Sequence, residues 1–530
     1  MKKRYFGVML DMSRNAVMKA EEVKKFAKII SKLGYNMIQL YTEDTYEIDG
    51  EPYFGYMRGR YTKEELKDIV SYCNEIGVEV IPCIQTLAHL NCIFKWPAYD
   101  EIIDCNDILY VGQERTYELI EKMFKTMREC FTTDAIHIGM DEAHMVGLGR
   151  YLDKYGYKKR SEILIPHLKR VLEIAKKYNF KPMIWSDMFF KLANKGSYDV
   201  IDGELDKEVI ENTPEEVGLV YWNYYNTEKE HYTKFMKAHK EFKNDVWFAG
   251  GAWSWIGFAP DNKFTLESML PAMEACRETG VDKVIMTMWG DNGKECSFYS
   301  LLPSLYTVKR YYDGERDINK IKGEFKAITG EEYDHMTALD LPNAIEEGGK
   351  VMGYCKHALY SDVFNGYDDL SFAGDKNAEY KEYAERLKRY AKESKNYGYV
   401  YEYEAELCNV LSVKYNLGLR TRKAYKEKNI SELKEIAEDY KKVEKMLEKF
   451  HKAFERVWYK ENKPEGFDIQ DQRLGGLIKR INSCRKRLVA FIKDNTKTIP
   501  ELETELLDFY DGKNMKYYTN WSRDVSVNVI

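Results

Sequence analysis

From the N-terminus to about residue 310, short apolar runs alternate with longer segments whose apolar residues recur every three or four positions. The short runs read as buried strands at residues 5–10, 36–41, 78–84, 135–140, 181–185, 218–222, 246–250 and 283–289. Between them the 3.6-residue period predicts helices over 20–33, 63–76, 116–130, 163–178 and 265–279. Strands that alternate with helices build parallel sheets. Eight of them are enough to close a (β/α)8 TIM barrel at the C-terminal ends of whose strands a site would lie. An open doubly wound sheet would carry a glycine-rich phosphate loop after its first strand, and the turn after Leu10 has none.

Past about residue 340 the strand signal stops. Stretches rich in Glu, Lys, Tyr and Leu at 376–394, 401–426, 430–456 and 473–494 carry helical periodicity, interrupted by the turn around Pro464 and Gly466. The fold class is therefore α/β, with a catalytic barrel over residues 1–335 and an all-α helical domain over 336–530. A chain of 530 residues exceeds the roughly 250–300 at which single cores stop growing. The charged faces of the C-terminal helices read as solvated surface.

Composition removes several function classes. Hydrophobic residues make up 44% and charged residues 32% with no low-complexity tract, so the chain is folded throughout. A net charge of -6 offers nucleic acid no basic footprint. No window approaches the roughly 20 apolar residues of a membrane span, and the first apolar run is too short for a secretory signal. Ten cysteines without a CxxC pair or metal-finger spacing suit reduced thiols in a cytoplasmic protein. No cofactor is expected.

The chemistry gathers where the strands end. The run Ile136-His137-Ile138-Gly139-Met140-Asp141-Glu142 delivers two adjacent carboxylates to a strand-to-loop junction, which suits general acid work. The other strands end in Arg14; in Tyr41, Glu43 and Asp44; in Gln85 and His89; in Trp185, Ser186 and Asp187; in Trp222, Tyr224 and Tyr225; in Trp253 and Trp255; and in Trp289 and Asp291. Four successive strands thus end in tryptophan. Such an aromatic cup with carboxylates and one arginine fits a neutral polyhydroxylated ligand, whose ring stacks on indoles while Arg14, His89 and Asp291 bond hydroxyls.

At these residues the chain resembles glycoside hydrolase family 20, the β-N-acetylhexosaminidases. The resemblance covers the barrel and rests on Leu10-Asp11-Met12-Ser13-Arg14, the loop to His89, the His-x-Gly-x-Asp-Glu run, Trp222 and Trp289-Gly290-Asp291. It is to the branch that starts directly with the barrel and ends in a helical domain. The family departs from ordinary retaining glycosidases, which hold two carboxyl groups about 5 Å apart. The resemblance implies that the substrate's own 2-acetamido oxygen attacks the anomeric carbon. Glu142 would be the acid and then the base, and Asp141 would accept the acetamido N–H and raise the pKa of Glu142. Arg14 would bind the distal hydroxyls with Asp291, where many members carry Glu. The acetamido oxygen is usually held by a tyrosine after the seventh strand, but here that place reads Ala252-Trp253. Tyr224 and Tyr225 are the substitutes, and strand alternation does not choose between them. His89 orients Glu142 or its loop, or touches sugar, while His137 and His144 read as structural.

The expected activity is exo-hydrolysis of terminal β-linked GlcNAc, with GalNAc as second candidate, from an oligosaccharide or glycoconjugate. A homodimer is left open. Two other readings compete. A metal-dependent barrel hydrolase would use His137, Asp141, Glu142 and His144, but no second histidine cluster occurs at other strand ends. A non-catalytic sugar-binding barrel has no use for a buried acid. Asp-Glu-Ala-His also spells a helicase motif, which needs a phosphate-binding loop that is absent.

Overall fold

The computed structural model describes residues 4–201, 203–344, 353–371, 374–508 and 520–528. Eight parallel strands close into a barrel: β1 (Tyr5–Asp11), β2 (Met37–Tyr41), β3 (Glu79–Cys83), β4 (Ala135–His137), β5 (Lys181–Trp185), β6 (Gly218–Trp222), β7 (Val246–Gly251) and β8 (Lys283–Met288). Each pairs with the next in sequence, and β8 returns to β1 with Ile285 opposite Gly7. Side-chain direction alternates along a strand, so one set of residues fills the barrel and the other faces the helices. Met9, Met37, Ile81, Met183, Val220, Ala249 and Ile285 pack inside. Val8, Leu10, Ile38, Leu40, Val80, Ile184 and Val284 join the outer core.

The expected helices form as Ala20–Lys32, Lys63–Glu75, Glu114–Cys130, Arg160–Lys177 and Asn262–Thr279. Thr62 and Glu65 close a reciprocal capping box at the start of the second. Four further helices between the described strands, Arg150–Tyr155, Asp187–Ala193, Lys207–Asn212 and Lys229–His239, are too short to advertise a period. β4 also differs from expectation: it stops at His137, because Gly139 and Met140 take φ values of 71° and 73° and leave the ladder.

The longest C-terminal helices are Asn377–Glu393, Gly398–Lys414, Leu417–Lys426, Ile430–Glu461 and Phe467–Ile492, preceded by the short Tyr354–Tyr360. The expected helix 401–426 is thus two, broken at Tyr415 and Asn416. These helices hold the loops that follow β1 and β8. Glu461 accepts the Lys19 backbone N–H, Lys463 donates to the Val17 carbonyl, and the Cα of Gly466 leaves no room for a side chain against the Asn15 carbonyl. On the other loop, Gln470 Nε2 donates to the Gly293 carbonyl at 2.9 Å, and Arg473 Nη1 and Lys356 Nζ both donate to that of Asn292, at 2.6 and 3.1 Å. Arg14 and Asp291 sit on these two loops.

Candidate active site

Asp141 and Glu142 lie at the C-terminal mouth of the barrel, on the turn that ends β4. Glu142 has φ 52°, a conformation costly for a side-chain-bearing residue and sustained only where its surroundings dictate it. Asp187, buried after β5, accepts the Glu142 backbone N–H at 3.1 Å and so holds that conformation. Gly139 is required nearby: a Cβ there would lie 2.0 Å from Gln85 Oε1.

Gln85 and His89, both beyond β3, flank Asp141. Gln85 Nε2 donates to Asp141 Oδ1 at 2.8 Å, and His89 Nε2 stands 3.1 Å from Oδ2 and 3.8 Å from Glu142 Oε2. Burial alone would push the Asp141 carboxyl up, but the His89 charge and hydrogen bond, with Gln85, outweigh it and hold the group at about 2. Burial likewise opposes the charge on His89, yet Asp141 lifts it to about 9. Glu142 moves the opposite way from its neighbour: partial desolvation, then the Asp141 charge, push its half-exposed carboxyl above the ordinary value. The arrangement therefore pushes the two adjacent acids apart, Asp141 toward the ionised form and Glu142 toward the protonated one.

A cavity of about 150 Å³ opens above the pair, lined by Arg14, Asp141, Glu142, Trp185, Trp222, Tyr224, Tyr225, Trp255, Trp289 and Asp291. All but two of the expected site residues line it. His89 reaches the site from behind, through Asp141. Trp253 is buried under Trp255, with ring centroids 4.5 Å apart, and its Nε1 donates to the Tyr224 carbonyl at 3.1 Å. The expected wall position of Trp253 is thus filled by Trp255, two residues on. Tyr224 is buried with its hydroxyl against Trp289 and Thr287, whereas Tyr225 is 44% exposed.

Arg14 is fixed on one side of the cup. Its Nη1 donates to Asp11 Oδ2 at 3.1 Å, its Nε lies 3.4 Å from Glu43 and 3.9 Å from Asp291, and the guanidinium sits over the rings of Tyr41 and Trp289. Asp11 also accepts the Gly290 N–H at 2.9 Å, tying the ends of β1 and β8 together. The histidines of the metal-hydrolase reading are not gathered around the acids. His137 lies against Trp185 with its Nδ1 accepting the Gly139 N–H, burial holds its pKa down at about 3, and His144 is exposed. Gln85, Glu43, Asp187 and Trp255 are the residues that sequence reasoning noticed only as strand-end polar or aromatic groups. Their shared placement just past a strand was the available signal.

Comparison with known families decides the assignment. The model of the glycosyl hydrolase family 20 catalytic domain matches residues 4–240, and that of the glycoside hydrolase 20C C-terminal domain matches 331–521. The chain belongs to glycoside hydrolase family 20. Among its relatives, human hexosaminidase D is 22% identical over 226 residues, 41% of this chain and 44% of the relative. A β-hexosaminidase of Akkermansia muciniphila is 23% identical over 167 residues, 26% of this chain and 34% of the relative. The matches thus span less than half of either relative. Among solved structures, a family 20 exo-β-N-acetylglucosaminidase from Vibrio harveyi, bound to N-acetylglucosamine, superimposes with a TM-score of 0.48 at 14% identity. It covers 63% of this chain and 59% of that one.

Proposed function

We propose that this protein is an exo-acting β-N-acetylhexosaminidase that removes terminal β-linked GlcNAc, or GalNAc, with retention and by substrate-assisted catalysis. The observation that carries the reading is a pair of adjacent acids shifted in opposite directions, Asp141 held below its ordinary value and Glu142 pushed above its own. Glu142 gives its proton to the glycosidic oxygen as the C1–O bond breaks, while the substrate's acetamido oxygen bonds to C1. Asp141 accepts the acetamido N–H and stabilises the positive charge of the oxazolinium. Water then attacks C1, Glu142 takes its proton, and the bond from C1 to the acetamido oxygen opens. An ordinary retaining enzyme would need a second carboxylate across the bond; here the nucleophile belongs to the substrate.

Trp185, Trp222, Trp255 and Trp289 are assigned to the sugar's faces, and Arg14 with Asp291 to its distal hydroxyls. Tyr224 is our choice for the acetamido oxygen, because its side chain is buried in the cup whereas Tyr225 is 44% exposed. The division near residue 335 belongs to the same proposal, supported by the start of the second family match at 331. A cytoplasmic location is supported by ten unpaired cysteines, and no helix among the described residues is long and apolar enough to cross a membrane.

The test is hydrolysis of a chromogenic N-acetylglucosaminide. Glu142→Gln should abolish cleavage of substrates with poor leaving groups, Asp141→Asn should cut the rate strongly, and a thiazoline mimic of the oxazolinium should inhibit tightly. Near-wild-type rates in both variants, or covalent trapping of sugar on a protein carboxylate, would refute the assignment.

A further inference from the structure

A second and larger cavity adjoins the sugar cup. It measures about 610 Å³ against about 150 Å³ for the cup, and Arg14 lines both. His89, which stands 3.1 Å from Asp141, also lines it, as do Asn292 and Gly293, the two residues that follow Asp291. The trough therefore begins at the end of the cup that holds Arg14 and Asp291.

Each cation of the trough already faces a carboxylate. Arg14 lies 3.1 Å from Asp11, Arg58 2.9 Å from Asp44, Arg473 3.1 Å from Glu295 and His89 3.1 Å from Asp141. What is left to bond a ligand is chiefly amide: the side chains of Asn15, Asn91, Asn106 and Asn292 line the trough and make no hydrogen bond to another described residue. Groups that both donate and accept suit hydroxyls better than an anion. The loops after β2 and β3, which bring Arg58 and Asn91 to the trough, also carry a group of exposed rings. Tyr53 stacks on Trp96 with ring centroids 5.5 Å apart, Tyr56 packs edge-on to the same indole at 5.3 Å, and the two tyrosines are 43% and 39% exposed. A hydroxyl-binding trough beside solvent-facing aromatic rings has the chemistry of a sugar site.

We propose that the trough is a second sugar subsite, which takes a neutral hexose joined to a distal hydroxyl of the GlcNAc in the cup. The inference rests on the assignment of Arg14 and Asp291 to those hydroxyls. It adds an activity to the removal of a terminal sugar: GlcNAc that already carries a hexose is cut from its aglycone, and a disaccharide leaves. The bond that breaks is still C1–O of the GlcNAc, with Glu142 protonating the leaving oxygen, the acetamido oxygen closing on C1 and water then opening that ring. The bond between hexose and GlcNAc stays whole, because a hexose without a 2-acetamido group brings no nucleophile of its own.

The full chain is assayed on three aryl β-glycosides: that of GlcNAc, and those of GlcNAc bearing a β-galactosyl group, a neutral hexose, on O3 or on O4. Release of the aryl alcohol is followed by absorbance, and the sugar product is weighed by mass spectrometry. At least one substituted glycoside should be cleaved with kcat/KM within about tenfold of the unsubstituted one, and the product should be the intact disaccharide. Asn91→Trp puts an indole into the trough and should lower the ratio of substituted to unsubstituted kcat/KM by about tenfold or more. Cleavage of the GlcNAc glycoside with both substituted ones left intact would overturn the subsite and leave the proposed function standing. Failure to cleave any of the three would overturn both. A ratio that Asn91→Trp does not move would also overturn the subsite, since the hexose would then lie outside the trough. If that variant does not fold, the comparison of the three glycosides with the wild type decides alone.

Discussion

Removing His89 tests how the site keeps one acid charged beside another that is not. In the native protein Asp141 is held at about 2, against an ordinary value of 3.8, although burial pushes the other way. Holding it there corresponds to roughly 2–3 kcal/mol favouring the ionised form. His89 is the largest contributor to it, and Gln85 the lesser. The folded value lies below the unfolded one, so this stabilisation is present above about pH 4 and is lost only as pH falls through about 2. His89, raised to about 9, is charged across the whole working range, and its own contribution fades as pH climbs from its ordinary value through about 9. In His89→Ala, burial acts on Asp141 with only the hydrogen bonds from Gln85 and the backbone to oppose it, and its pKa rises to its ordinary value or above. The assay is kcat/KM for a chromogenic N-acetylglucosaminide between pH 3 and 9. Wild type should show no acid limb above about pH 4, and His89→Ala should show one within the measured range. An unchanged acid side would refute the idea that His89 holds Asp141 ionised.

Other perturbations separate positioning from packing. Gly139→Ala forces a Cβ onto Gln85 and the Ile84 carbonyl at a positive φ, so stability should fall by about 3 kcal/mol and kcat with it; an unaltered melting curve would contradict the crowding. Trp255→Ala should raise KM and cost less stability than Trp253→Ala, which should lose about 3–5 kcal/mol, as fully buried tryptophans do; calorimetry and steady-state kinetics on both settle which indole faces substrate. Burial, then the Asp141 charge, push Asp187 to about 7, so the native state loses stability as pH rises from 3.8 to about 7. Asp187→Asn keeps an acceptor for the Glu142 N–H and should flatten Tm over that range and raise it at pH 8; a steeper wild-type-like dependence would contradict this.

The barrel was legible because parallel strands covered on both sides are continuous apolar runs, and all eight could be read from residues such as 218–222 and 283–288. The adjacent acids were legible for the same reason, since the run ahead of them ended abruptly in Gly139. What stayed hidden depended on backbone turns after the strands. Nothing in the pattern distinguishes Trp253 from Trp255, because β7 ends at Gly251 and strand alternation no longer applies beyond it. The support that Asp187 gives to Glu142 was hidden too, because it runs between neighbouring strands through a backbone N–H that any residue type would supply.

The helices beyond the barrel grip the loops that carry Arg14 and Asp291, and leave the turn bearing Asp141 and Glu142 to β3, β4 and β5. On the proposed assignment, bond cleavage and sugar selection therefore rest on different parts of the molecule. Substitutions in helices that never touch a substrate, around Lys356, Gly466 or Arg473, can retune which hydroxyl pattern is accepted while the acid pair stays as it is. A search for altered sugar preference would begin there, and lineages of this architecture have in those helices a place to diversify without risking catalysis.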